Sequence, residues 1–534
     1  MTVAVLRPDA GGRSTLYGLR GAVACEHPRA SLVGVRALDA GGSAADACVA
    51  MGAAMAVLSP MMTGLGGDAL ALWYDAQSGA VEGLAGWGRA GRAASIETLR
   101  ERGHATMPPH GGPPVTVPGA VRLWEDLARA HGRLDWASLL APAREIAEGG
   151  FPVTHVVSRL WRDALEVLEA SDTAPATFLP GGEVPRAGQV FRHPELAATL
   201  GRVAEGGADA LYTGEVAERI VAAVGRAGGF LTLEDLAAHE TARVEPLARS
   251  YRGLTVHEMP PPSQGVAALA ILGVLERFDL AGLDPLSAER IHLEAEAARL
   301  VLADAHALVG DPEHADVPVA AMAGDERAAE LAASIDPERA GAAGLVAGVG
   351  ADTTYLCAVD AEGNACSFIN SLFNAFGSGI VAPGTGVCLH NRGLGFRLDP
   401  GHPAALGPGR RPFHTLIPGM VTREGALWAA FGVMGGHMQA QGHAQVIVNL
   451  ADHGMEPQEA VDHPRHFLTE EGRLLVESRV PEAARRRLAA MGHDVVDAPA
   501  YALPTGSGQV VQLRPDGVRA CGSDPRRDGC ALAQ

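Results

Sequence analysis

Two adjacent threonines, Thr353 and Thr354, are the residues in this sequence best placed for nucleophilic chemistry. They follow Asp352 at the end of segment 336–352, which is rich in alanine, glycine and valine and contains no aromatic residue. This composition predicts a flexible, exposed tether in which backbone cleavage is physically easy. Taken alone, the paired threonines indicate an ordinary strand start, because β-branched side chains suit strands. Other motifs in the chain are needed to distinguish a cleavage site with a nucleophilic threonine from an ordinary strand start.

The histidines between positions 437 and 466 are the second group of candidates, because imidazole is a common metal ligand. His437 and His443 are six residues apart and so lie on different faces of a helix, and no His-Glu-x-x-His spacing occurs. The glycine-rich turn at 63–68 follows a predicted helix and precedes a predicted strand, the reverse of the order in a dinucleotide site. We therefore expect neither a metal nor another cofactor.

Composition excludes several classes of partner. The chain has 534 residues, 47% hydrophobic and 20% charged, which is typical of a soluble globular protein. Its net charge of -19 argues against nucleic acid and anionic membranes, but leaves room for a local arginine pocket. No apolar stretch approaches ~20 residues, so no transmembrane helix is expected. The first residues do not resemble a secretory signal, and the seven cysteines are an odd number, so we expect a cytoplasmic protein with free thiols.

Hydrophobic periodicity predicts strands early, helices in the middle and strands again at the end. The alanine-rich run between the N-cap Ser43 and Pro60 is apolar all round, which indicates a fully buried helix. From 120 to about 236 the hydrophobic period is helical, and strands return near Ala242–Tyr251 and Leu254–Met259. After Thr353 the hydrophobic period becomes two, with helices between the strands near Met438–His453, Pro457–Asp462 and Pro481–Met491. Two sheets covered by helices would satisfy this order.

Several separate motifs, in the same order, resemble the γ-glutamyltransferase family over nearly the whole chain. They are Gly41–Ala47, Thr63–Asp68, Pro260–Gly265, Asp352–Thr354, Phe376–Val381, Gly435–Gly436 and Gly522–Arg526. The resemblance implies an N-terminal nucleophile hydrolase fold of the α+β class. Two central sheets would lie between helical layers in a four-layer αββα sandwich.

The resemblance also implies a precursor that cleaves itself between Asp352 and Thr353. The products would be a large subunit, 1–352, and a small subunit, 353–534, which remain one intertwined domain and could assemble as a homodimer of processed heterodimers. Independent chemistry agrees, because a threonine hydroxyl needs a nearby base. Cleavage frees an α-amine with a pKa of about 7.7–8.0, so Thr353 would supply both nucleophile and base.

Other catalytic roles follow by position. Gly435 and Gly436 match the pair whose backbone N–H groups form the oxyanion hole of the family. Ser371 stands where the family keeps a threonine that hydrogen-bonds the nucleophile.

The substrate-binding positions depart from the family pattern. Its ligands for the donor's α-amine fall on Phe373, Arg392 and Gly395, none of which can pair with an ammonium group. We infer that the acyl donor lacks a free α-amine and that Arg392 binds an anion, since its guanidinium suits a carboxylate. A purely structural arginine is the alternative.

The positions that bind the donor's carboxylate also differ. The family's serine pair falls on His414 and Thr415, and its carboxylate-binding arginine aligns near Gly88, with Arg89 next to it and Arg92 beyond. The sequence therefore predicts an amide hydrolase acting on a small-molecule substrate with a carboxylate, of the glutaryl or oxamate kind, through a threonyl acyl-enzyme. A true γ-glutamyl transferase, a carbon–carbon bond hydrolase using the same threonine, and a matured binding protein without catalysis remain as alternatives.

Overall fold

The structure is a computed structural model that describes residues 13–342 and 352–534, with the backbone alone at Asp352. Most of the predicted tether and the N-terminal residues judged for a signal lie outside these ranges. No described helix combines the length and apolar character needed to cross a membrane.

The strands of the described residues are, in chain order, β1 Leu16–Gly18, β2 Ala22–Cys25, β3 Asp68–Tyr74, β4 Val81–Gly86, β5 Phe151–Pro152, β6 Val190–Phe191, β7 Ala242–Val244, β8 Leu247–Tyr251, β9 Leu254–Glu258, β10 Asp352–Val359, β11 Ala365–Phe373, β12 Val381–Ala382, β13 Val387–Cys388, β14 Gly419–Arg423, β15 Ala426–Met434, β16 His466–Leu468, β17 Arg473–Glu477, β18 Asp494–Ala498, β19 Ser507–Leu513, β20 Arg519–Ser523 and β21 Cys530–Ala533.

The helices of the same residues are α1 Pro28–Asp39, α2 Ala44–Leu58, α3 Ile96–Glu101, α4 Ala120–His131, α5 Trp136–Gly149, α6 His155–Asp163, α7 Leu165–Glu169, α8 Ala174–Phe178, α9 Pro194–Gly206, α10 Asp209–Tyr212, α11 Gly214–Arg226, α12 Leu233–Ala237, α13 Gly265–Leu275, α14 Ala288–Leu308, α15 Val319–Met322, α16 Asp325–Ser334, α17 Met438–Ala451, α18 Pro457–Asp462 and α19 Glu482–Ala490.

Two seven-stranded sheets form the centre of the described chain. Sheet I has the strand order β21-β2-β10-β11-β3-β4-β7, and sheet II the order β1-β20-β19-β15-β14-β9-β8. The sheets pack face to face, with β10 of sheet I against β15 and β19 of sheet II. Each sheet contains strands from before Thr353 and strands from after it, hydrogen-bonded to one another.

Helices cover the outer faces of both sheets. On sheet I, α2 packs against β10 and β11, while α13 and α17 cover sheet II. Every residue of α2 is buried, and Ser43 and Asp46 form a capping box at its start. This arrangement confirms the predicted αββα sandwich and the fully buried helix at 44–58.

One difference concerns the expected strand near 242–251. The structure divides it into β7 in sheet I and β8 in sheet II, with Glu245 and Pro246 between them. Proline has no N–H to donate to a ladder, and it is confined to strand edges and breaks. The break sends the chain from one sheet to the other.

Candidate active site

The backbone around Thr353 is shaped by an irregularity between two neighbouring strands. The register of β10 with β11 shifts between Asp352 and Thr354. The shift leaves two β11 residues, Ser371 and Leu372, opposite the single residue Thr353. A bulge of this kind re-aims side chains, and bulges are frequent beside active sites.

The bulge brings two hydroxyl groups together. The Oγ1 atom of Thr353 lies 2.9 Å from the Oγ atom of Ser371, and both residues are fully buried. Ser371 Oγ also accepts a hydrogen bond of 2.8 Å from the N–H of Phe373. The backbone of β11 therefore holds the serine oxygen in place beside the threonine oxygen.

Asp68 is the centre of a buried polar cluster next to this pair. It begins β3, where it is the register partner of Ser371. Its Oδ2 atom accepts hydrogen bonds from Arg392 Nε at 3.1 Å and from His414 Nε2 at 3.2 Å. His390 Nδ1 approaches the same oxygen to 3.1 Å. Asp68 is the last residue of the Thr63–Asp68 motif, and its place in this cluster was not predicted from the sequence.

The charges of this cluster follow from burial and contact. Burial alone would raise the pKa of Asp68, but His390 and His414 outweigh it and hold the pKa well below its usual range. Burial lowers the pKa of His414 to about 4, so this imidazole is neutral near pH 7. Burial also lowers the pKa of Arg392 to about 10, which still leaves it charged. The cluster therefore holds one carboxylate–guanidinium pair, Asp68 with Arg392, beside the neutral imidazole of His414.

Most of the guanidinium of Arg392 is occupied by protein groups. Its Nε donates to Asp68, and its Nη1 donates to Thr415 Oγ1 at 2.9 Å. Among the described residues, Nη2 is its one nitrogen without a partner. The fork that the sequence predicted as a carboxylate clamp is thus largely engaged by Asp68 and Thr415.

Phe373 connects the hydroxyl pair to this arginine. Its φ of 75° is unusual for a bulky residue, which indicates a backbone held by its surroundings. Its N–H donates to Ser371, and the guanidinium carbon of Arg392 lies 4.2 Å from the centroid of its ring. A cation over an aromatic face is attracted by the ring quadrupole.

The glycine pair lies directly after β15. Gly435 and Gly436 have φ values of 126° and 61°, which disfavour any residue with a Cβ. The side-chain nitrogen of Gln264 donates to the carbonyl of Gly436 at 2.9 Å and to that of Thr415 at 2.8 Å. Gln264 therefore ties the glycine turn to the predicted substrate segment, a role that the sequence did not reveal.

A narrow cavity adjoins these residues. Its lining includes the predicted Phe373, Gly395 and Thr415, together with Arg397, His306 and His437, which the sequence did not assign to the site. The centre of a water molecule can occupy about 50 Å³ of it. One such centre needs about 10–15 Å³, so the cavity takes a group of only a few heavy atoms.

The side chains of Arg89 and Arg92 contact other parts of the protein. Arg89 pairs with Glu313 at 2.9 Å and donates to the carbonyl of Gly409 at 3.0 Å. Arg92 approaches Asp235 at 3.8 Å. Within the described residues, these contacts give neither arginine a link to the hydroxyl pair.

Three groups of side chains could share a metal ion by distance: His292 with Glu296 and His493, His306 with His437 and Glu470, and Asp311 with Glu313 and His314. In the first and third groups, protein groups outside the cluster bind ligand atoms, and in the second His437 lies within hydrogen-bond distance of both His306 and Glu470. His292 uses both ring nitrogens, at 2.8 Å each, on His493 and the carbonyl of Asp336. Asp311 pairs with Arg411 at 3.3 Å. We therefore assign no metal to these groups.

A family model, two sequence relatives and a solved structure all match this chain over most of its length. The sequence model described as gamma-glutamyltranspeptidase matches residues 30–534. The chain is 36% identical over 524 residues to a glutathione hydrolase-like proenzyme, YwrD, of Bacillus subtilis, covering 97% of this chain and 99% of that one. It is 36% identical over 530 residues to the oxamate amidohydrolase proenzyme of Klebsiella pneumoniae, covering 97% and 99%. The crystal structure of cephalosporin acylase from Bacillus halodurans superposes with a TM-score of 0.93 at 38% identity, covering 100% of this chain and 99% of that chain.

Proposed function

The chain belongs to the γ-glutamyltranspeptidase family of N-terminal nucleophile hydrolases, and we propose that it is a self-cleaving amide hydrolase whose acyl substrate carries a carboxylate. The observation that carries the proposal is the contact of 2.9 Å between the hydroxyl oxygens of Thr353 and Ser371. It occurs at the strand start where the resemblance places the nucleophile. One of the compared proteins is named an oxamate amidohydrolase, and another is named a cephalosporin acylase.

Maturation would begin with attack of Thr353 Oγ1 on the carbonyl carbon of Asp352. The acyl group moves from nitrogen to oxygen, and water then hydrolyses the ester. The products are the carboxylate of Asp352 and a free α-amine on Thr353. Because each sheet contains hydrogen-bonded strands from both sides of Thr353, the two fragments would stay together.

In turnover, the α-amine takes the proton of Thr353 Oγ1 while the oxygen attacks the amide carbonyl of the substrate. The N–H groups of Gly435 and Gly436 would stabilise the developing oxyanion, where one donor is worth about 3 kcal/mol. The amine then passes its proton to the leaving nitrogen, which departs, and water hydrolyses the acyl-enzyme. Ser371 would orient the attacking oxygen throughout.

The surroundings of Arg392 favour an acyl group without an α-amine. An ammonium group placed there would meet a buried guanidinium of the same charge sign, which already lies over the ring of Phe373. Like charges in a desolvated pocket reject the wrong ligand strongly. A γ-glutamyl donor carries such an ammonium group, whereas glutaryl and oxamate-like acyl groups do not.

The test is intact mass of the purified protein, followed by hydrolysis of glutaryl-p-nitroanilide and γ-glutamyl-p-nitroanilide. Wild type should appear as fragments 1–352 and 353–534 and prefer the glutaryl compound, while Thr353→Ala should remain whole. Thr354→Ala is the matched control, because Thr354 Oγ1 is buried without a hydrogen-bond partner among the described residues. Cleavage of Thr353→Ala would overturn the assignment. Mature wild type without activity on any amide would favour a binding protein or a carbon–carbon bond hydrolase.

A further inference from the structure

Arg397 differs from the other arginines near the site. It lines the cavity beside Phe373 and Thr415 and is only partly buried. Its side chain has no hydrogen bond or ion pair among the described residues. Arg392 and Arg89, by contrast, are engaged by Asp68 and Glu313.

The imidazoles around this guanidinium do not add to its charge. Burial lowers the pKa of His437 to about 3 and that of His306 to about 4, with Arg397 lowering both further. These rings are therefore neutral near pH 7, and His437 places its two ring nitrogens against Glu470 at 3.0 Å and His306 at 3.3 Å. The nearby carboxyl of Glu470 is also largely desolvated, and burial raises its pKa to about 7. Arg397 is thus the permanent charge at this wall of the cavity.

The backbone holds Arg397 against the cavity. Its N–H donates to the carbonyl of Ala404 at 2.8 Å, and its carbonyl accepts from the N–H of Leu406 at 3.0 Å. His437, which also lines the cavity, follows the glycine turn directly, so the cavity and the predicted oxyanion site share one segment. An acyl group with its carbonyl at that turn would extend into the cavity.

We propose that Arg397 binds the carboxylate of the acyl group, with the neutral ring of His437 beside it. The inference rests on the proposed function and names the residue that selects an acidic substrate. A partly buried guanidinium that makes no hydrogen bond or ion pair to the protein is suited to a carboxylate, because Arg forms paired N–H···O bonds with it. The small size of the cavity matches an acyl chain of a few carbons.

The test compares glutaryl-p-nitroanilide with pentanoyl-p-nitroanilide, which has the same chain without the carboxylate. Arg397→Gln should lower kcat/KM for the glutaryl compound by about 10- to 100-fold, the worth of a charged hydrogen bond, and leave the pentanoyl compound within threefold. Arg397→Lys should restore part of the loss, because it keeps the charge. Arg486→Gln, which removes an exposed arginine paired with Glu482 on α19, is the matched control and should change neither rate.

The outcomes separate this inference from the proposed function. Equal losses on both substrates would make Arg397 a structural residue, and no loss on either would exclude it from the site. Both results overturn the inference while leaving the hydrolase proposal intact. If mature wild type cleaves neither compound, calorimetric binding of glutarate still decides the inference: weaker binding to Arg397→Gln supports it, and equal binding refutes it.

Discussion

Replacing Asp68 by asparagine should destabilise the protein strongly, because it would leave a buried cation without its counter-charge. Asp68 is fully buried and accepts from Arg392, which is 1% exposed. Asparagine has nearly the same shape, so packing changes little and the charge is the main loss. Breaking a buried pair by removing one partner costs about 3–5 kcal/mol.

The double variant Asp68→Asn/Arg392→Met isolates this cause. It removes both charges and fills the space with an apolar chain of similar length, which buried pairs often tolerate. We expect it to recover much of the stability lost in Asp68→Asn. Denaturant midpoints of the two single variants and the double variant measure the coupling. If the losses of the single variants simply add in the double variant, the two residues do not interact and the reasoning is refuted.

The stability difference between wild type and Asp68→Asn should depend on pH in one direction. The folded pKa of Asp68 lies below its unfolded value of about 3.9, so its contribution is fully present above that value. The contribution is lost as the pH falls through the folded pKa. The stability difference between wild type and Asp68→Asn should therefore be constant from about pH 5 to 8 and shrink below about pH 4.

Asp311→Asn is a matched control, because it removes a buried carboxylate that is not part of the Asp68 cluster. Asp311 is also buried and pairs with an arginine, Arg411, at 3.3 Å. It should lose stability for the same reason, yet mature at the normal rate, because Asp311 is not a partner of Ser371 or Arg392. Slow maturation in Asp68→Asn but not in Asp311→Asn would tie the Asp68 cluster to the chemistry of Thr353. Equal maturation of both variants would limit Asp68 to a structural role.

Two further predictions follow from the site. Ser371→Ala should slow maturation and lower kcat by about 10- to 100-fold, because Thr353 loses its oriented partner and the N–H of Phe373 its acceptor. Ser371→Thr should mature, and a time course of intact mass that shows Ser371→Ala within twofold of wild type would contradict the role. The inhibition constant of glutarate should rise between pH 6 and 8, since Glu470, with its pKa raised to about 7 by burial, becomes negative near Arg397 while His306 and His437 stay neutral. Glu470→Gln should flatten this profile, and an unchanged profile would exclude Glu470 as its source.

Much of the fold could be predicted because local patterns were strong. Helix α18 occurs at the predicted bounds Pro457–Asp462, and α2 is buried on every side as its all-apolar sequence indicates. Strands β2 and β21 were missed, although they pair with each other in sheet I. Their sequences, Ala-Val-Ala-Cys and Cys-Ala-Leu-Ala, are short runs of mostly small residues without polar alternation. Periodicity cannot identify such strands.

The proposed binding arginine was harder to predict than the proposed nucleophile, and the reason is physical. A motif locates Thr353 within a few residues, whereas the state of an arginine depends on what lies against it in space. Arg392 pairs with Asp68 across 324 positions of sequence, a contact that no local pattern reveals. Arg397, five residues after Arg392, has no such partner in the described structure. The residue that selects an acidic substrate should therefore be Arg397, which makes no direct ion pair in the described structure, and Arg392 should serve mainly to hold Thr415 and Phe373 in position.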